Sequence, residues 1–255
     1  MALKDFSLEK FDIIIQAGQS NSEGYGFGNV PDPYQPSDRV WYLNGDFTFQ
    51  IAQEATANNA IQSNFSLSFA REYMNAGRLA EDRKLLILRT AVGGTGFSVD
   101  DWKAEDPLYL RMMEMIRTAL SLNPENRLIA LLWHQGETDA DHHVTYDYYR
   151  GHLSYLLGSV REEFGVPDLP FVAGDLSQDW KSTRQEQAAP VVAALRDICA
   201  SENASFVESD GLDSNRQDGF PHPFGWVDEA HFCRRAVYEL GRRYFAAYVS
   251  IVDAK

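Results

Sequence analysis

The chain's alternation of short apolar runs with longer helical patterns predicts an α/β fold, built on a mostly parallel sheet of five strands covered on both faces by helices. Two further observations support this. The strand candidates are almost continuously apolar, as strands buried on both faces are. The helix candidates carry apolar residues at spacings of three and four, so each buries one side only.

The first strand, 12–16, lies in "FDIIIQAGQSNSEG", where an apolar run opens abruptly into small polar residues. A stretch rich in proline and amides, 25–65, follows and reads as an irregular surface excursion before a helix near 66–80. Next come a strand at 85–90 (LLILRT) and a helix at 107–122, in which Leu108, Met112, Met115, Ile116 and Ala119 share a face. A strand at 128–133 (LIALLW) leads to a helix at 144–164, and a strand at 170–175 to a helix at 187–200. After a last strand at 204–208 comes a second irregular stretch, 209–230. The closing helix, 232–249, aligns Val237, Leu240, Tyr244 and Tyr248. No repeat or linker interrupts the pattern, so residues 1–255 read as a single domain.

Composition narrows the partners. With 44% hydrophobic and 24% charged residues the chain resembles an ordinary globular protein. Its 23 basic and 37 acidic residues leave a net charge of −14, which disfavours nucleic acid and anionic membrane surfaces. Cys199 and Cys233 lack metal-type spacing and are expected as free, partly buried thiols. The start, "MALKDFSLEKFDIII", has no basic region, long apolar stretch or cleavage site. A cytoplasmic location is therefore expected, although a secreted chain with its leader removed would read the same way.

Open parallel sheets place ligands outside the carboxyl ends of their strands. Four blocks fall at such positions or just before the last helix: "GQSNS" with Ser20, "AVGGTGF" with Gly93 and Gly94, "HQGETDA" with Gln135 and Glu137, and "WVDEAHF" with Asp228 and His231. Singly each has a bland reading, as a turn serine, a glycine bend or a capping histidine. Together they supply an acyl-transfer site. A serine hydroxyl needs an adjacent base, and the base needs a carboxylate to fix its tautomer. Asp228 and His231, three residues apart, can face one cleft from a single turn. The N–H groups of Ser20 and of Gly93 or Gly94, with the Gln135 amide, are candidate oxyanion donors. Around the serine, Gly18 permits the tight turn, while Gln19 and Asn21 brace it. The turn is not the G-x-S-x-G elbow, because Ser22 stands where that pattern has its second glycine.

These blocks resemble the ordered motifs of the SGNH (GDSL-like) hydrolase superfamily. More narrowly, they are similar to the sialate O-acetylesterase and acetylxylan esterase group, carbohydrate esterase family six. The resemblance runs from residue 16 to residue 232. It implies a three-layer α/β/α, flavodoxin-like sandwich and a cofactor- and metal-independent esterase that removes O-acetyl groups from carbohydrates. Carried onto this chain, it implies Ser20 as nucleophile, His231 as base and Asp228 as its acid. Gly94 or Gly93 and Gln135 then join the Ser20 N–H in the oxyanion hole, Gln135 standing where the wider superfamily has asparagine.

Alternatives stay open. Glu137 is a second carboxylate at a strand end and could orient His231; the local spacing favours Asp228. Asn21 and Trp102 are candidate substrate contacts, whereas Trp133 and His134 read as packing. Asp139, Asp141, His142 and His143 read as solvated, without the three converging ligands a catalytic metal needs. The substrate could be acetylxylan, an acetylated oligosaccharide, a sialate ester or a general short-chain ester. A carbohydrate-binding protein that kept the fold without catalysis is the rival from another class.

Overall fold

The computed structural model describes residues 5–201 and 203–254. The first half runs β1 (Lys10–Gly18), α1 (Ser20–Glu23), β2 (Val40–Leu43), β3 (Phe49–Ile51), β4 (Ala55–Ala57), β5 (Ala60–Gln62), α2 (Phe65–Asn75), β6 (Arg83–Arg89) and α3 (Pro107–Ser121). The second half runs β7 (Arg127–His134), α4 (Glu137–Asp141), α5 (Tyr146–Glu163), β8 (Phe171–Gly174), α6 (Gln178–Lys181), α7 (Gln185–Cys199), β9 (Ala204–Val207), α8 (Asn215–Asp218) and α9 (Arg234–Val252).

The main sheet has the order β3-β2-β6-β1-β7-β8-β9, and every neighbouring pair is parallel except β2 and β3. It therefore holds seven strands, where the sequence predicts five. Both additions come from the stretch 25–65. Val40–Leu43 follows the prolines and is too short to display a period. Its strand state comes from pairing along β6, Val40 against Leu85 through Leu43 against Leu88. Beside the sheet, β4 and β5 form a hairpin whose tip, Asn58 and Asn59, has φ of 47° and 64°. Two consecutive left-handed residues match the right-handed twist of paired strands.

Successive side chains of each strand enter opposite cores. Ile13 and Ile15, with Leu86, Leu88, Leu131 and Trp133, pack against α3, α5 and α7. Ile14, with Leu85, Ile87, Ala130 and Leu132, packs against α2 and α9. The result is three layers, α/β/α. Cys199 and Cys233 are buried and free.

Strand order positions the site. The five strands predicted from sequence lie as β6-β1-β7-β8-β9, the doubly wound order that reverses direction at β1. From β1 the chain builds outward on one side through β6 and on the other through β7. The crevice outside the carboxyl end of β1 is where this topology leaves room for a ligand, and Ser20 is there.

Candidate active site

Gly18 ends β1 with φ of +121°, and a Cβ there would lie 2.1 Å from the His134 carbonyl oxygen of β7. Glycine alone meets both demands. The Gln19 N–H then donates to the same His134 oxygen at 2.9 Å, and Ser20 opens the single turn of α1. At a helix start the first N–H groups lack intrahelical acceptors, which leaves the Ser20 N–H available.

The amides flanking Ser20 are fully engaged on one side. Gln19 Oε1 accepts from the Gly136 and Thr138 N–H groups, both at 3.3 Å. Asn21 Nδ2 donates to Glu137 Oε1 at 2.7 Å and to the Ala230 carbonyl at 2.9 Å, while its Oδ1 accepts from the Phe232 N–H at 3.1 Å. Asn21 thus ties the serine turn to the residues on both sides of His231. Its side chain is buried, and these bonds place it as a clamp instead of a substrate contact.

His231 Nδ1 lies 2.9 and 3.0 Å from the two Asp228 carboxylate oxygens, and its backbone N–H donates to Asp228 Oδ1 at 3.1 Å. A carboxylate on Nδ1 holds the proton there and leaves Nε2 free to accept one. Asn215 Nδ2 donates to Asp228 Oδ2 at 2.8 Å. Burial by itself would raise the Asp228 carboxyl, but hydrogen bonds from His231 and Asn215 and the histidine's charge hold it below the usual range. Tyr25 stacks on the His231 ring with centroids 4.8 Å apart. His222 Nε2 also approaches Asp228 Oδ2, to 3.2 Å but out of line for a hydrogen bond.

Glu137, the alternative acid, bonds Asn21 and has its second oxygen buried without a partner among the described residues. Burial pushes its carboxyl upward. The carboxylate on His231 is that of Asp228.

The expected oxyanion donors separate. A Cβ on Gly93 would lie 3.5 Å from Ser20 Cβ, so the glycine block does reach the serine. The Gly93 N–H, however, donates to Glu23 Oε2 at 2.7 Å, whereas the exposed Gly94, with φ of +73°, has open space around it. Gln135 is fully buried: Nε2 donates to Asp139 Oδ2 at 2.8 Å and to Gln19 Oε1 and the Thr95 carbonyl at 3.2 Å, and Oε1 accepts from the Tyr149 hydroxyl at 2.8 Å. In this arrangement Gln135 braces the strand ends, and its amide protons are already engaged.

Two further expectations change. Trp102 lies in the core against Trp133, with Nε1 donating to Thr95 Oγ1 at 3.0 Å, so it lines no cleft. Asp139 is buried, not solvated; it accepts from the Phe97 and Ser98 N–H groups at 3.0 and 2.7 Å and anchors the glycine block. His142 and His143 are exposed as expected. The residues missed altogether are Tyr25, Glu23, Asn215 and His222. They come from stretches without periodicity, and only the fold makes them neighbours.

Beside the serine turn a cavity of about 350 Å³ is lined by Glu23, Asn44, Arg89, Val92 and Arg111, among others. Arg89 Nη2 donates to the Glu23 carbonyl at 3.1 Å and Arg111 Nη2 to the Thr90 carbonyl at 3.3 Å. Neither guanidinium has a carboxylate partner among the described residues, whose other arginines mostly do.

A family model described as "Carbohydrate esterase, sialic acid-specific acetylesterase" matches residues 10–250. Among individual proteins, an Arabidopsis thaliana protein named "Probable carbohydrate esterase" is 26% identical over 179 residues, 63% of this chain. An Escherichia coli K12 protein named "Probable 9-O-acetyl-N-acetylneuraminic acid deacetylase" is 29% identical over 90 residues, 31% of this chain. The matched segments span 66% and 27% of those relatives' own lengths. The crystal structure of NanS shares the fold with a TM-score of 0.82 at 19% identity, covering 97% of this chain and 99% of that one.

Proposed function

The chain belongs to this carbohydrate esterase family, and on that premise we propose that it hydrolyses O-acetyl esters of carbohydrates through Ser20, His231 and Asp228. His231 Nε2 removes the Ser20 proton as Oγ attacks the acetyl carbonyl. The N–H groups of Ser20 and Gly94 receive the developing oxyanion. Protonated His231 then hands its proton to the sugar oxygen as its bond to the acetyl carbon breaks, so that the sugar leaves as the alcohol. Water, activated by the same imidazole, releases acetate from the acyl-enzyme. Asp228 holds the imidazole and stabilises its charged form throughout. The observation that carries this reading is the Asp228 carboxylate on His231 Nδ1, in a segment bonded on both sides of the histidine to Asn21, the residue after Ser20.

Within that class, the acid sugar of a sialate ester has a specific observation in its favour over acetylxylan. Arg89 and Arg111 line one cavity beside the serine turn without carboxylate partners, which suits a substrate carrying a carboxylate. Acetate release from O-acetylated sialic acids, acetylated xylo-oligosaccharides and ethyl acetate tests both levels. Cleavage of an acetylated saccharide supports the class; a preference for the acid sugar that disappears in Arg89→Met supports the narrower reading. Hydrolysis of ethyl acetate alone would overturn the carbohydrate assignment.

A further inference from the structure

Nine large hydrophobic side chains are exposed among the described residues, and three of them, Phe224, Trp226 and Val227, fall within four positions just before Asp228. Trp226 is 56% exposed and Phe224 43%. Their rings stack, with centroids 5.1 Å apart and planes 26° from parallel. Gly225, with φ of +72°, makes the turn that folds one ring back on the other. Phe224 meets the buried Phe27 edge-on at 6.3 Å, yet both rings of the pair stay largely exposed, and clustered exposed apolar groups of this kind mark binding surfaces.

The pair is mounted on the site. His222 stacks against Trp226 at 5.3 Å and lies edge-on to the buried Phe27 at 5.1 Å. The Phe224 N–H donates to His222 Nδ1 at 3.3 Å, which puts the His222 proton on Nε2, the nitrogen 3.2 Å from Asp228 Oδ2. From the other side Asn58, at the tip of the β4–β5 hairpin, donates to the Pro223 carbonyl. The aromatic surface is therefore continuous, through one buried imidazole, with the carboxylate that holds His231.

We propose that Trp226 and Phe224 form a sugar-stacking subsite that takes the pyranose ring of the ester's alcohol portion. The proposal rests on the esterase reading above. A pyranose presents an apolar C–H face and polar edges, and a flat, half-exposed aromatic pair is the surface complementary to that face. An anionic macromolecule is disfavoured here by the net charge of −14.

The test compares Trp226→Ala and Trp226→Phe with the wild type on an acetylated saccharide and on ethyl acetate, which has no ring to stack. Trp226→Ala is expected to lower kcat/KM on the saccharide about tenfold relative to ethyl acetate, mainly through KM, with most of the loss restored in Trp226→Phe. An unchanged ratio between the two esters, on a saccharide that the wild type does cleave, overturns the subsite and leaves the esterase reading intact. A wild type that cleaves ethyl acetate but no acetylated saccharide removes the carbohydrate reading and the subsite together. Sedimentation of the same proteins covers the remaining occupant: a wild-type dimer that Trp226→Ala dissociates assigns the pair to a second copy and overturns the proposal.

Discussion

The serine half and the histidine half of the site differ in construction. Around Ser20, residues 16–22 are buried, and the side chains of Gln16, Gln19 and Asn21 all bond across to other elements. The histidine half hangs on 209–230, where α8 is one turn and Phe224, Trp226 and Val227 face solvent. The first half is held by the sheet. The second is held by an isolated bridge between Ser214 and Phe232, by the Asn215 and Arg216 N–H groups donating to the His231 and Asp228 carbonyls at 2.8 Å, and by the side-chain bonds of Asn215 to Asp228 and the Tyr25 carbonyl. Such a division lets a buried site stay fixed while an exposed loop changes.

The largest expected effect lies in the rigid half. Ser20→Ala should lower kcat by roughly 10⁴- to 10⁶-fold, because the remaining groups form no acyl-enzyme. Acetate release measures it. Activity within a hundredfold of wild type would move the nucleophile elsewhere and dissolve the comparison between the two halves.

Next comes the loop's carboxylate on His231. Asp228→Asn should cost about 10²- to 10⁴-fold in kcat, since an amide can stabilise the wrong tautomer of His231. Glu137→Gln, in a group bonded to Asn21 and not to the histidine, should cost under about tenfold. The reverse order would transfer the acid's role to the buried strand end.

Asn21→Ala attacks the joint between the halves. It removes the bonds to Ala230 and Phe232 and leaves buried polar groups unsatisfied, costing about 1–3 kcal/mol of stability by denaturant titration. Loss of register between Ser20 and His231 should lower kcat about 10- to 100-fold. Because Asp228 still holds His231, the pH profile of kcat/KM should keep its shape. A displaced profile would mean that Asn21 acts on the histidine's ionisation and not on its position.

Legibility in the sequence followed the same division. The five strands β6, β1, β7, β8 and β9 and the helices packed on them announce themselves by apolar runs and periodicity, because burial selects those residues wherever the chain goes. Three polar blocks were visible because they end such runs, and the fourth because it directly precedes the last periodic helix. β2 and β3 were not, since a four-residue strand whose stability comes from pairing with β6 has no pattern of its own. The roles of Gln135 and Trp102 were misplaced for a related reason. Composition tells that an amide and an indole are near a strand end, but only packing decides that both point inward. Tyr25, His222 and Asn215 acquire meaning solely through contacts with residues far along the chain.

An effect on stability at low pH, with no change asked of catalysis, separates the halves by the pH at which each yields. His134, on the rigid side, is fully buried; its Nδ1 lies 2.9 Å from the Tyr244 hydroxyl, which itself donates to the Trp133 carbonyl at 2.7 Å. The Nδ1–H must therefore be the donor, and burial holds the ring neutral by pushing its pKa from 6.5 down to about 3. Between those values the unfolded chain binds a proton that the native state refuses, so stability falls as pH falls, by at most about 1.4 kcal/mol per pH unit. Asp228 acts lower: its depressed carboxyl contributes stability above the ordinary 3.8, lost only as pH drops through the still lower folded value. Glu137 opposes His134, because its raised carboxyl takes up a proton in the native state first and so gains stability on acidification above 4.5. Urea midpoints from pH 7 to pH 4 should therefore decline more steeply in Glu137→Gln than in the wild type, and less steeply in His134→Asn. Parallel curves for all three proteins would mean that neither buried group controls the acid stability of the serine half.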